Sequence, residues 1–110
     1  MLKIGDICVG HYCYSMEIYN FYMVTKITEK SVTFEKLEKD YIEGGFQPLV
    51  TPKVKYSIFG DRLYTPTGCK FTRRLKGNSS IKDETGYGYI KPEGTSEEAL
   101  LKGYREDHLD

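Results

Sequence analysis

A chain of 110 residues with 16 Lys plus Arg against 16 Asp plus Glu suits one small domain, and a second full domain is not expected, since domains commonly take about 100–200 residues. Its 10 Tyr and 5 Phe exclude wholesale disorder, and a hydrophobic fraction of 39% predicts a real but thin core. No apolar run approaches the ~20 residues that cross a bilayer. The opening Met1-Leu2-Lys3-Ile4-Gly5-Asp6 lacks the apolar stretch of a secretory leader, so a cytosolic location is expected.

Val, Ile, Thr, Tyr and Phe dominate the first half and favour strands. Gly5 to Tyr14 reads as the first strand and Phe21 to Thr28 as the second. In the second, Tyr22, Val24 and Lys26 point one way, and Phe21, Met23, Thr25 and Ile27 the other. Glu29-Lys30 is a short turn into a third strand, Ser31 to Glu38, where Val32, Phe34 and Lys36 alternate with Thr33, Glu35 and Leu37. Two strands joined this closely form a hairpin.

From Gly44-Gly45 to Pro52 the turn residues predict a surface loop. Lys53 to Phe59 alternates again, with Val54, Tyr56 and Ile58 on one face. Gly60-Asp61 and Pro66-Thr67-Gly68 punctuate the chain before a strand over Lys70 to Lys76. Gly77 to Ser80 is a turn, and Tyr87-Gly88-Tyr89-Ile90 a last short strand ended by Pro92.

Only the tail reads as helical. Thr95 with Glu98 matches a capping box, and Gly103 closes the helix. Arg105 to Asp110 is expected to be loose. Residues 1–94 are thus expected to form one mainly all-β domain, and 95–110 a short helix and flexible acidic tail. Five or six short strands at this size predict a small SH3-like barrel, which closes its sheet and leaves few edges. An open twisted sheet with the helix packed across it is the alternative.

Neutral overall charge conceals segregation. Residues 53–82 carry eight basic side chains against the single Asp61, a net of +7, whereas residues 83–110 carry a net of −5. Such segments either make patches of opposite sign that steer partners or neutralise one another as neighbours.

Catalytic chemistry finds little support. Cys8, His11, Cys13 and Cys69 are the soft ligands, but Cys8 and Cys13 point to opposite faces of a regular strand and miss zinc-ribbon spacing. Cys8 and Cys69 are therefore expected to be small core residues. His11 and Cys13 share a face near 7 Å apart, two strand rises of ~3.3 Å each, with nothing to orient the imidazole. Glu38, Asp40 and Glu43, like Asp83-Glu84 and Glu97-Glu98, read as solvated loop charge. No enzyme activity, metal or cofactor is expected. The richest signal is basic and aromatic: Lys70, Arg73, Arg74 and Lys76 on one strand, with Tyr87, Tyr89 and Lys91. Such residues grip phosphates and stack on unpaired bases. The same alternation is also ordinary barrel core and rim.

Four stretches in this order carry a family resemblance: Ile4-Gly5-Asp6-Ile7; Asn20 to Ile27 with Lys30-Ser31-Val32-Thr33; Phe71-Thr72-Arg73-Arg74-Leu75-Lys76; and Tyr87 to Pro92. Together they resemble a group of small proteins carried by phages, plasmids and other mobile elements, with no assigned enzymatic role. The resemblance spans roughly residues 4–92. It departs at Tyr12 to Glu17, where an aromatic-Gly-Tyr-x-Gln-Thr motif would stand, and at Glu93-Gly94-Thr95, in place of a Trp-Asp-Gly ending. It implies a compact β fold and a bacterial host. It also implies a binding role on a host protein or ribonucleoprotein complex, as in anti-CRISPR-type inhibition, or direct binding of RNA or DNA through the basic aromatic face.

Overall fold

The computed structural model describes residues 2–13, 17–43, 48–75 and 80–106. The fold is mainly β. Eleven strands are assigned among these residues: β1 Ile7–Cys13, β2 Glu17–Ile27, β3 Ser31–Leu37, β4 Lys39–Glu43, β5 Leu49–Pro52, β6 Val54–Tyr56, β7 Arg62–Tyr64, β8 Pro66–Arg74, β9 Ile81–Lys82, β10 Tyr89–Ile90 and β11 Tyr104–Arg105. One helix, α1, spans Glu97–Lys102. An antiparallel sheet in the order β8-β3-β2-β1-β10-β9 curls into half a barrel. A smaller sheet, β11-β5-β4, and the β6–β7 hairpin complete the architecture.

Period-two alternation builds two cores on the two faces of this curled sheet. Inside the curl lie Cys8, Tyr22, Val24, Val32, Phe34, Ile81 and Ile90, with Phe71 and Leu75 packed against them. On the outer face Ile7, Val9, Phe21 and Leu37 meet Val50 of β5 and Leu100 of α1. A strand with apolar residues on both faces, such as Phe21-Tyr22-Met23-Val24, therefore marks a sheet covered on both sides.

The β2–β3 hairpin forms where alternation places it. Thr28 donates its backbone N–H to the Ser31 carbonyl across the Glu29-Lys30 turn (2.9 Å). Two details differ from the sequence reading. β2 begins four residues before Phe21, because Glu17 to Asn20 continue the ladder with β1. A bulge between Val24 and Lys26 leaves Thr25 without an opposite residue on β3. An extra residue inverts the alternation beyond it, so Ile27 joins Tyr22 and Val24 in the inner core.

Three further expectations are corrected. The 44–52 segment was expected to be loop, yet Leu49–Pro52 is β5, paired with both β4 and β11. Pro66-Thr67-Gly68 does not interrupt the chain; it opens β8 as an irregularity in the β3–β8 ladder. Pro66 stands first in the strand, where its missing N–H is tolerated. Thr67 then donates its hydroxyl to the Lys36 carbonyl (2.8 Å), and Gly68 takes a φ of 89°. The short strand β9 at Ile81–Lys82 is added to the expected set.

The helix starts one residue late. Ser96, not Thr95, is the N-cap, its hydroxyl accepting from the Ala99 N–H (3.2 Å). Thr95 is committed elsewhere, donating its backbone N–H to the Ile7 carbonyl (2.7 Å). Gly103 closes the helix as expected, at a φ of 78°. Six residues make a helix too short to persist alone, and Leu100 anchors it in the outer core.

Beyond the helix, Arg105 and Glu106 are not loose. β11 pairs with β5, Tyr104 opposite Val50 and Arg105 opposite Leu49. Glu106 is fully buried (0% exposed). Its carboxylate accepts from Lys39 Nζ at 2.6 Å and from the Tyr19 N–H at 2.9 Å. Residues 107–110, with His108, lie outside the described set. No helix among the described residues is long and apolar enough to cross a membrane.

Candidate binding surfaces

The basic strand β8 lies at one edge of the curled sheet and β9 at the other. The curl brings these edges together, and Arg73 straps them. Its Nη2 donates to the Asp83 carbonyl (2.8 Å), its Nε to the Lys82 carbonyl (3.2 Å) and its Nη1 to the Thr72 carbonyl (3.1 Å). The guanidinium also lies 5.0 Å from the Phe71 ring centre. Three of its donor atoms are thus spent on backbone, which suits closure of the seam more than phosphate binding.

The other predicted residues divide. Lys70 and Arg74 are exposed on β8, with Glu35 and Ser31 directly opposite on β3. Tyr89 and Lys91 are exposed on the far side of the seam, and Tyr89 stands opposite Lys82. Tyr87 is exposed on the Asp83–Gly88 turn. Lys76 lies outside the described residues.

His11, across from Tyr89 on β1, stacks on Tyr19 with ring centres 4.6 Å apart. Its Nε2 is 3.8 Å from Glu17 Oε1. The side chain of Cys13 is outside the described set. Among the described residues no group of three or more His, Cys, Asp or Glu is arranged to hold a metal ion.

The two described thiols differ. Cys8 is buried, and burial, helped by Asp6 and Glu93, pushes its thiol up to about 12. Cys69 is exposed, correcting its expected place in the core: it sits in the irregular part of β8, where the alternation of Phe71, Arg73 and Leu75 no longer applies. A thiolate-directed reagent is expected to modify Cys69 and spare Cys8 in the folded protein, checked by mass spectrometry of the labelled peptides. Cys8 also predicts alkaline lability. Between pH 9 and about 12 the unfolded thiol ionises while the folded one keeps its proton. Stability therefore falls as pH rises through that window, by up to about 4 kcal/mol. Tyr22, raised by burial and then by Glu84, acts in the same sense above pH 10. Lys39, lowered by burial, acts in the opposite sense. Urea midpoints across this range check the fall, and Cys8→Ala should remove the part that sets in between pH 9 and 10, before Tyr22 contributes.

A surface that alternation did not reveal is the β6–β7 hairpin. Ser57 organises its tip: its hydroxyl accepts from the Phe59 N–H (3.2 Å) and the Asp61 N–H (3.1 Å). Ile58 and Phe59 are left 94% and 85% exposed, with Tyr56 and Leu63 also exposed below them. The expected strand face of Val54, Tyr56 and Ile58 thus buries only part of Val54. An Arg62–Glu97 ion pair ties the hairpin to α1. At its foot lies a cleft of about 240 Å³ lined by Ile42, Pro52, Val54, Tyr64, Leu100 and Leu101, among others.

The Asp83–Gly88 turn sits at the open mouth of the curled sheet. Asp83, buried, accepts at Oδ1 from the Thr85 N–H, the Thr85 hydroxyl and the Gly86 N–H. A Cβ on Gly88 would fall 2.1 Å from Asp83 Oδ2, so only glycine fits beside this carboxylate. Glu84 pairs with Lys36 Nζ (3.0 Å) and accepts from the Tyr22 hydroxyl (3.2 Å). Asp83 and Glu84, expected as solvated loop charge, are therefore built into the fold.

No family model, curated protein or solved structure matches this chain.

Proposed function

We propose that this protein works by contact and not by turnover. It is a binding module of the phage and mobile-element kind, built on an SH3-like barrel, that docks on a host protein or ribonucleoprotein complex and occupies its surface, as an anti-CRISPR or other anti-defence inhibitor does. The observation that carries the reading is the β6–β7 hairpin, which holds Ile58 and Phe59 in water on an ordered turn. Exposed apolar clusters of this kind mark interaction sites. The projecting tip fits a pocket in a folded partner. Lys53 and Lys55 beside it, with Asp61 the only acid from Lys53 to Arg62, favour a pocket with an acidic rim.

A protein surface is favoured over nucleic acid because Ile58 and Phe59 offer phosphates nothing, and Arg73 is already engaged with carbonyls. Direct RNA or DNA binding is the second reading. It is supported by exposed Lys82 on β9, Tyr89 on the paired β10 and Lys91 just after it, and it predicts binding that weakens steeply with salt.

The test compares the wild-type protein with an Ile58→Asp, Phe59→Asp variant as bait in nuclease-treated bacterial lysate. The wild type should retain a discrete host protein or complex, and the variant should lose it by about tenfold or more, since buried aromatic anchors dominate such interfaces. Unchanged circular dichroism would show that the fold survives. Equal capture by both, or none by either, overturns the reading.

A further inference from the structure

The mouth of the curled sheet is a groove of about 590 Å³. Tyr12 and Ile18 of the β1–β2 hairpin, Tyr41 of β4 and Tyr87 of the Asp83–Gly88 turn give it aromatic and apolar walls. Barrel mouths are common ligand sites because side chains from several strands converge there.

The polar groups of the groove are unevenly spent. Both lysines in its lining are taken: Lys36 by Glu84 and Lys39 by Glu106. Asp83 Oδ1 is filled by its own turn. Glu84 is different. Its Oε1 accepts from Lys36 and Tyr22, but its Oε2, shielded from solvent, has no hydrogen-bond partner among the described residues. A shielded carboxylate oxygen without a donor is a standing cost. The terminal carboxylate torsion is soft, so a small rotation turns this oxygen toward an entering group.

This selects the ligand. An anion would meet Asp83, Glu84 and, behind Lys39, Glu106, with no uncommitted ammonium to receive it. Phosphates are disfavoured. A compact ammonium could pair with this oxygen, but it is strongly hydrated and offers no flat face to the tyrosine walls. A guanidinium is flat, weakly hydrated, supplies only donors and stacks on aromatic faces. We propose that the mouth between Tyr12, Tyr41 and Tyr87 receives the guanidinium of an arginine side chain, held by Glu84 and stacked on tyrosine. The source is an arginine presented by a polypeptide or free arginine. The site shares no lining residue with the hairpin cleft and does not rest on the hairpin reading.

The test is a titration of the full chain, followed by amide NMR shifts, with four probes: a blocked Gly-Arg-Gly peptide, its citrulline counterpart, free arginine, and adenosine monophosphate. The arginine peptide should give saturable shifts centred on Tyr12, Asn20 and residues 84–87. The neutral citrulline peptide should bind about tenfold more weakly or worse, the loss expected from one charge-assisted bond. Tyr87→Ala, at an exposed position, should weaken binding without disturbing the fold, and Glu84→Gln should abolish it. The Ile58→Asp, Phe59→Asp variant should bind like the wild type. Free arginine matching the peptide supports the site and assigns it to the small molecule; peptide binding alone supports it and assigns it to a polypeptide. No saturable shift at millimolar peptide, equal binding of citrulline, or tighter binding of the nucleotide overturns the proposal.

Discussion

Replacing Glu106 with Gln is expected to destabilise the fold by about 3 kcal/mol, the lower end for removing one partner of a buried ion pair. Glu106 is fully buried, and Lys39 keeps only 15% of its side chain exposed. Glutamine preserves the shape and can still accept from the Tyr19 N–H, but it leaves the Lys39 ammonium without its counter-charge. Lys39 also donates to the Tyr19 carbonyl (2.8 Å). One residue pair therefore ties three elements together: β2, β4 and the chain just after β11. The variant should lose protection from hydrogen exchange first in β11 and α1, the elements it anchors. Adding Lys39→Met should recover much of the loss, because it removes the buried unpaired ammonium while the amide introduced at 106 keeps its bond from the Tyr19 N–H. Urea denaturation of the two single variants and the double variant measures the coupling. Additive losses would show that the pair is not the anchor.

A second large effect is expected inside the curl. A Cβ on Gly10 would lie 2.6 Å from Cε2 of the Tyr22 ring. That ring has little room to retreat. It packs edge-on against Phe34 and Phe71, with ring centres 6.3 and 5.5 Å away, and its hydroxyl is bound to Glu84. Gly10→Val should cost about 3 kcal/mol, the upper part of the usual range for overpacking a core. Valine suits strands in general, so a loss at this position reports the close approach and not strand propensity. Combining it with Tyr22→Leu should restore part of the loss by clearing the ring. Thermal unfolding of the three variants decides, and a neutral Gly10→Val would show that the curl does not depend on this contact.

The hairpin of β2 and β3 was legible because every signal for it is local. Val32 and Phe34 alternate with polar neighbours, and a two-residue turn precedes them. Gly103 was legible for the same reason. Thr95 misled because its spacing to Glu98 is that of a capping box, while its backbone is claimed by Ile7, 88 positions earlier in the chain. The 44–52 segment misled because its glycines and prolines hid a strand of only four residues, Leu49–Pro52. That strand exists through its partners on either side.

The candidate surfaces divide in the same way. Lys70, Arg73, Arg74, Tyr87, Tyr89 and Lys91 were visible as residue types, but not the consumption of Arg73 by carbonyls across the seam. Val54, Tyr56 and Ile58 read as one face of a strand, and their alternation is the same whether or not a second layer arrives to cover that face. Glu106 reads as solvated tail, because nothing near it in the chain announces Lys39.

Alternation, turn chemistry and aromatic content are properties of neighbouring residues, and they were sufficient to establish a mainly β domain with one terminal helix. Burial belongs to residues far apart in the chain, brought together only when the sheet curls and the second layer docks. The packed tertiary structure alone decided that Glu106 is enclosed, that Phe59 is left in water, and that Tyr12, Glu84 and Tyr87 meet at one mouth.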